Sequence, residues 1–328
     1  MGSTYQRSEV GAIEAPPPLP NAVIFRASRP GGLLHRFVFH YDRVQPLSEV
    51  RLSPGQAGLL NGWGIFSTMR VYEGVPFAFD RHWNRLARDA DRIQLPLSYG
   101  PSAARDAVER VIAANAVQSG SIRIYFVHNR GSMWSSDEPL PAVDLIVYSA
   151  DLPSRVGPTQ LALLPDGRHS ANPLSGTKVT AWLNNVWHLE QARRSGFEDA
   201  LLLNERGEVA ECTAANVFCV RRHGIVTPPS SSGCLRGVTR EILLEIAPQA
   251  GIAASEQPIS REEIYGADEV FISSTTRQVQ AVIGIGEKRF SNAPGPITQR
   301  LAGLFSDYVN DYVQQERKGD RIPELARP

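Results

Sequence analysis

Lys178 is the residue whose type and place most invite chemistry. The chain holds 34 basic residues, of which only Lys178, Lys288 and Lys318 are lysines and 31 are arginines. Wherever a cation has only to be soluble the sequence uses arginine, so a lysine in mid-chain asks for something arginine cannot do. Lys178 sits in SGTKVTAWLNN, where a loop of small residues meets the start of a helix. A partly desolvated amine can lose its proton and condense with an aldehyde to give a Schiff base; a guanidinium can do neither. The plainer alternative is a surface lysine near a helix start.

Further segments widen the chemistry. In LRGVTREILLEIA, Gly237, Val238 and Thr239 fall at a helix N-terminus, where free backbone N–H groups, the positive dipole end and a hydroxyl converge on an anion. Thr239 serving only as an N-cap is the alternative. EVFISSTTRQV places the hydroxyls of Ser273, Ser274, Thr275 and Thr276 directly after a buried strand. That suits phosphate oxygens, and it suits an ordinary polar turn. Arg85, in HWNRL, offers either a charge-assisted contact to a phosphate or a helix-surface ion pair with Asp89. Glu211 interrupts the small and apolar run EVAECTAANVF. A buried carboxylate needs a partner to stay ionised, and a pyridinium nitrogen is one; a solvated strand-end glutamate needs none. Together these are the parts of a pyridoxal phosphate pocket: an amine for the aldehyde, an acid for the ring nitrogen and a cup for the phosphate.

Composition narrows the partners. With 34 Lys plus Arg against 34 Asp plus Glu, the 328-residue chain carries no net charge. The footprint of a nucleic-acid or acidic-membrane binder is missing, and a small molecule is the expected partner. No apolar run reaches the roughly 18 residues of a membrane helix, and the N-terminus lacks the basic-then-apolar order of a signal peptide. A soluble, cytoplasmic protein is expected. Cys212, Cys219 and Cys234 are too few for a disulfide framework and fit a reducing compartment. The histidines form no HExxH and no pair beside a CxxC, so no metal is expected. Gly284 and Gly286 make a GxG pair without the third glycine of a dinucleotide site.

The elements that must position these groups are mixed. Residues 1–22 are polar, then proline-rich, and read as a disordered or loosely draped arm. Strand-like alternation begins at Arg36 (RFVFHY) and continues in IFSTMRVYEGVPFAF, a hairpin turning at Glu73-Gly74. Residues 81–94 carry Trp83, Leu86, Ala90 and Ile93 at helical spacing. A second amphipathic helix follows Ser102 as its N-cap. SIRIYFVHN and AVDLIVYSA read as strands, and DLPSRVGP, residues 151–158, as a linker. This predicts a small domain over 23–150, a larger one over 159–316 and a polar tail over 317–328. The larger domain runs through strand TQLALLP, loop GRHSANPLSGTK, a helix over 181–194, a strand meander turning at 205–207 and 223–224, helix TREILLEIA, strands EVFISST and QAVIGI, and a helix over 298–315. Without regular βαβ alternation, two α+β domains are expected rather than a doubly wound sheet.

This order of segments resembles the fold-type IV pyridoxal-phosphate enzymes, or class IV aminotransferases, which comprise branched-chain aminotransferases, D-amino acid aminotransferases and aminodeoxychorismate lyases. The resemblance runs from about Val50 to Tyr308. Its specific part is TKVTAWLNNVWHLEQARRSGFEDALLLNERGEVAECTAANVF, TPPSSSGCLRGVTRE and DEVFISSTTRQVQAV. It implies an α/β fold of the α+β type in two domains, with pyridoxal 5'-phosphate in the interdomain cleft, and a homodimer whose partner chain completes each site. By the same resemblance Lys178 is the Schiff-base lysine and Glu211 the partner of the pyridine nitrogen. Arg85, Val238, Thr239 and Thr275 are the phosphate ligands, with Gly237 and Ser274 beside them, and Leu235 is the apolar residue against the ring. The chain also departs from the pattern. Trp182 stands four residues after the lysine, where branched-chain members often have a tyrosine, and an indole N–H donates but cannot accept. Trp63 replaces an aspartate between two glycines, and Arg236 replaces a proline, adding a cation on the phosphate side.

The resemblance implies two reactions. An aminotransferase moves an amino group from a branched-chain or similar amino acid to a 2-oxo acid by a ping-pong cycle; the lyase releases pyruvate and 4-aminobenzoate. ECTAANVF and FSTMRV are closer to the lyases, whereas SSTT and LRGVTR are closer to the aminotransferases. The latter touch the cofactor and carry the expectation. Substrate is expected at Phe66, Thr68, Arg123, Tyr125 and Arg130, on strands lining the cleft. Arg123 or Arg130 would hold a carboxylate bidentately, unless both are ordinary surface arginines. A non-catalytic protein of the same fold is the remote alternative, against which Lys178 and Glu211 stand together.

Overall fold

A computed structural model describes residues 32–52, 56–129, 141–152, 157–291 and 293–319. The arm over 1–22, the middle of the linker, Arg130 and the last nine residues of the tail lie outside them. The first sheet consists of β1 (Leu34–His40), β2 (Arg43–Pro46), β3 (Gly64–Tyr72), β4 (Val75–Pro76), β5 (Ser119–His128) and β6 (Val143–Ala150). Its order is β2-β1-β6-β5-β3-β4, antiparallel throughout. The short α1 (Ala57–Asn61) precedes β3, and α2 (Phe79–Arg92) and α3 (Pro101–Ala114) cover one face. Alternation sorts the side chains. Ile65, Met69 and Val71 of β3 and Ile122, Ile124 and Phe126 of β5 are buried with the apolar faces of α2 and α3. The intervening Phe66 and Thr68 pair with Tyr125 and Arg123 across the ladder, and all four line a cleft. A period of two thus gives one face to the core and the other to the cleft.

The second sheet is built from β7 (Thr159–Leu164), β8 (Asp199–Leu203), β9 (Val209–Cys212), β10 (Asn216–Arg221), β11 (Gly224–Thr227), β12 (Ala254–Glu256), β13 (Glu269–Ser274), β14 (Gln278–Ile285) and β15 (Lys288–Arg289). The path is β12-β11-β10-β13-β14-β7-β8-β9, with β15 on β14. It is mixed: β7 runs parallel to both β8 and β14, and β11 parallel to β12. Four helices accompany it, α4 (Leu183–Arg194), α5 (Val238–Gln249), α6 (Arg261–Tyr265) and α7 (Pro296–Lys318). Both faces of β13 are covered. Phe271 packs with Ile242 and Leu243 of α5 and Phe305 of α7, while Val270 and Ile272 join Leu161, Leu201 and Val217. A strand buried on both sides needs no polar alternation, which is why VFIS reads as an unbroken run. All three cysteines are buried and unpaired. Among the described residues no helix is long and apolar enough to cross a membrane.

Several boundaries differ from the sequence reading. VPFAF is a strand only at Val75 and Pro76, because Ala78 takes a left-handed φ of 54° and swings the chain into α2. Phe77 then enters the core of the second sheet and Phe79 that of the first. The first position of α3 is Pro101, with Gly100 as N-cap, so Ser102 lies inside the helix. A proline at N1 removes a backbone donor that would have no helical acceptor. Helix α4 starts at Leu183, not 181, because Thr180 donates its N–H to the Gly64 carbonyl at 2.8 Å and keeps the preceding residues extended. Helix α6 escaped notice although Ser260 and Glu263 form a capping box, a signal present in the sequence. At the C-terminus α7 continues to Lys318, into the expected tail.

Candidate active site

Lys178 belongs by sequence to the loop between β7 and α4, yet its backbone is strapped to the first sheet. Its carbonyl accepts the Phe66 N–H at 3.0 Å, and Val179 bridges Ile65. The Lys178 N–H donates to Asp89 Oδ2 on α2 at 3.1 Å. Two residues earlier Gly176 has φ +75°, and a Cβ there would sit 3.0 Å from the Cys234 carbonyl oxygen. Glycine meets both demands. The Lys178 amine lies 4.5 Å from the ring centres of both Phe66 and Trp182. Burial, and then the Arg85 guanidinium, lower its pKa to about 7 against the opposing pull of Glu211 and Asp89. The aromatic faces favour the cation as well, but they do not offset burial. At neutral pH the amine is therefore divided between its charged and neutral forms.

Glu211, on β9, is 8% exposed and is not a solvated strand-end residue. One oxygen accepts the Leu235 N–H at 3.0 Å, and the other pairs with the Arg168 guanidinium at 2.9 Å. Arg168 also reaches Asn185 Oδ1 at 3.5 Å, and Asn185 donates to the Thr213 carbonyl at 2.5 Å. Sequence reasoning missed Arg168, since one arginine among 31 carries no signal by type.

The residues expected to hold an anion meet at one end of the cleft. The N-cap of α5 is Gly237, no side chain caps it, and Val238 and Thr239 are buried in its first turn, facing the cleft. Thr239 is thus not the cap. A Cβ on Gly237 would lie 2.2 Å from Asn216 Oδ1 and would displace the amide that donates to the Leu235 carbonyl. Ser274 and Thr275 line the cleft beside it. Arg85 is 4% exposed and donates to Ser67 Oγ at 2.7 Å instead of forming a surface pair with Asp89. Ser67 in turn meets His82 Nδ1 at 2.7 Å. Burial, then Arg85 and Lys178, hold the His82 pKa well below its usual value, so the imidazole that shares this bond with the hydroxyl is neutral. Arg236 does not add a cation to the cleft: it lies on the surface, 3.6 Å from Glu241. Ser273 Oγ, Thr177 Oγ1, Thr180 Oγ1 and Arg85 Nε are buried without a hydrogen-bond partner. Orphaned polar atoms are uncommon in folded proteins, and a cluster of them beside one cleft calls for a ligand.

The cleft has a volume of about 570 Å3 and is lined by every expected cofactor residue: Arg85, Lys178, Trp182, Glu211, Leu235, Gly237, Val238, Thr239, Ser274 and Thr275. Phe66, Thr68, Arg123 and Tyr125 form its opposite wall. Tyr125 stacks between Phe66 and Tyr148, with ring centres 5.2 Å and 5.6 Å away. Its hydroxyl accepts from Arg123 at 3.3 Å and meets the Tyr148 hydroxyl at 3.1 Å. Tyr148 was not anticipated; it supports Tyr125 because β6 pairs with β5 and sets Tyr148 opposite Arg123.

Two curled sheets with a cleft lined from both make the architecture of the fold-type IV enzymes. The chain belongs to the class IV aminotransferase family, whose model, Amino-transferase class IV, matches residues 64–285. It is 27% identical to a putative branched-chain-amino-acid aminotransferase of Methanocaldococcus jannaschii, covering 79% of this chain and 91% of that one. It is also 27% identical to a D-alanine aminotransferase of Bacillus licheniformis, over 80% and 94% of the two chains. Among solved structures, the branched-chain aminotransferase of Thermoproteus uzoniensis with norvaline superposes with a TM-score of 0.78 at 28% identity, covering 85% of this chain and 96% of that one.

Proposed function

We propose that this enzyme moves an amino group from a branched-chain or similar amino acid to a 2-oxo acid, in two half-reactions of a ping-pong cycle, with pyridoxal 5'-phosphate held in the cleft. The observation that carries this reading is one cleft joining an amine poised near neutrality, an anchored carboxylate and an open helix N-terminus. The residues fit the cofactor. Lys178 is an amine able to meet an aldehyde, Glu211 an acid for a ring nitrogen, and Leu235 an apolar neighbour. The first turn of α5, Ser274, Thr275 and Arg85 suit a phosphate, and the partnerless hydroxyls and Arg85 Nε have hydrogen bonds to give.

When bound, the cofactor carries the amino group and withdraws electrons from the carbon that loses its proton. The chain supplies the rest. Lys178 Nζ takes the substrate's α-proton and returns it, which an amine with a pKa of about 7 does in both directions. Glu211, held in place by Arg168 and the Leu235 N–H, would face the ring nitrogen and keep a proton on it. Phe66, Trp182 and Tyr125 exclude water and offer apolar contact to a side chain, and Arg123 receives a carboxylate. Exposed Leu174, Leu183, Val186 and Trp187 form an apolar surface along α4 and the loop before it, which supports a homodimer. We assign the enzyme to the cytoplasm, in keeping with its three unpaired thiols.

The test is to incubate the loaded enzyme with L- and D-amino acids, each with 2-oxoglutarate or pyruvate, and to separate the products. A new amino acid formed from the oxo acid names the donor and its stereochemistry. Release of 4-aminobenzoate from aminodeoxychorismate, with no transfer from any donor, would replace this reading with the lyase.

A further inference from the structure

Behind the cleft, Asp199 and Arg277 form an ion pair buried at both ends. Asp199 opens β8 and is fully buried. One of its oxygens accepts from the Ala200 N–H at 2.8 Å, the Thr213 N–H at 3.2 Å and the Thr213 hydroxyl at 2.5 Å. The other accepts from the Arg277 guanidinium. Arg277 lies in the turn between β13 and β14, and its own N–H donates to Ser274 Oγ at 3.3 Å. Neither side chain lines the cleft, but what each one holds does: Thr213, two residues beyond Glu211, and the turn carrying Ser274, Thr275 and Thr276.

Removing two charges from water is costly, and a well-packed apolar pair of the same volume is commonly as stable, so such a pair is poor evidence for stability alone. What a carboxylate with four donors provides is geometry. Its two oxygens face two different chain segments, so a shift of either segment breaks charge-assisted hydrogen bonds to the other. We propose that Asp199 and Arg277 are positioning residues that set the distance between the acid end of the cleft at Glu211 and its phosphate end at Ser274 and Thr275. This rests on the reading of that turn as a phosphate seat.

The experiment titrates the full-length, cofactor-free protein with pyridoxal 5'-phosphate and with pyridoxal, which lacks the phosphate, and follows the ratio of the two affinities. Arg277→Met, Arg277→Lys and the double variant Asp199→Asn/Arg277→Met are compared, since the double variant leaves no lone buried charge if a single one fails to fold. The ratio should fall about tenfold in Arg277→Met and in the double variant, a loss equal to one charge-assisted contact. It should recover in part in Arg277→Lys, while affinity for pyridoxal changes less than about twofold. An unchanged ratio, or an equal loss for both ligands, would reduce the pair to a structural role and overturn the inference. Thr275→Ala separates the two failures. If it lowers the ratio while the Arg277 variants do not, the phosphate seat stands and only the positioning role falls. If it also leaves the ratio unchanged, the seat itself is misplaced and the inference goes with it.

Discussion

Asp89 holds Lys178 by its backbone and not by its amine. The 3.1 Å contact runs from the Lys178 N–H to Asp89 Oδ2. The helix of the first sheet thereby fixes where the lysine's chain enters the cleft while leaving the amine itself free to exchange protons. Burial raises the Asp89 pKa, and the Lys178 N–H is the first of the interactions opposing that rise.

An acceptor at this position is what counts, so Asp89→Asn and Asp89→Ala should part company. The asparagine keeps an oxygen for the N–H and should retain cofactor affinity to within about threefold, while the alanine leaves a buried donor unmet and should lose about tenfold or more. Fluorescence titration with pyridoxal 5'-phosphate measures both. Equal losses would mean that the carboxylate charge matters and not the tether.

The lowered pKa of Lys178 makes stability depend on pH. The unfolded chain, with lysine at its ordinary 10.5, binds more protons than the folded one between about pH 7 and that value. The stability of the cofactor-free enzyme therefore rises with pH across this window, by at most about 1.4 kcal/mol per pH unit from this group. Lys178→Met should be more stable than wild type, with an advantage that is full below about pH 7 and shrinks towards pH 10. Urea unfolding at several pH values checks the slope, and a constant difference would contradict it.

His82 acts at the acid end. Its pKa is held well below the usual 6.5, so the unfolded chain takes up a proton that the folded one refuses. Stability is lost as pH falls below about 6.5, and His82→Gln, which cannot titrate, should flatten that loss by about one proton's worth of slope. Thermal melts at pH 7 and pH 5 give the comparison; an unaltered acid loss would show that other groups dominate it.

Arg123, proposed to receive a substrate carboxylate, lines the cleft and is set against Tyr125 and Tyr148. Arg123→Met should raise KM for an amino acid or oxo acid by about tenfold to a hundredfold, with the larger effect on dicarboxylic substrates, whereas Arg123→Lys should recover part of it. Steady-state kinetics with glutamate and leucine decides this. A fall in kcat alone, at constant KM, would place Arg123 outside substrate binding.

The sequence spoke most clearly where one residue type had a single reason to be present. Lys178 stood out among arginines, Gly237 and Thr239 announced a helix end, and strict alternation sent Phe66, Thr68, Arg123 and Tyr125 to one face. It was silent where meaning depends on pairing across the fold. Arg168 meets Glu211 across 43 positions, Ser67 of β3 joins Arg85 and His82 of α2, and Tyr148 meets Tyr125 only through its register with β5. None of these has a local spacing to betray it. The misplaced starts of α3 and α4 have another cause, since a proline at N1 and a bridge to β3 override the nearest cap-like side chain.

The most direct test of the whole account uses the scarcity of lysine. The enzyme is loaded with pyridoxal 5'-phosphate, reduced with borohydride to make its attachment permanent, digested and analysed by mass spectrometry. With only Lys178, Lys288 and Lys318 to choose from, the account predicts the cofactor on Lys178 and a loss of the visible absorption band in Lys178→Ala. Label on Lys288 or Lys318, or an undiminished band in the variant, would contradict it.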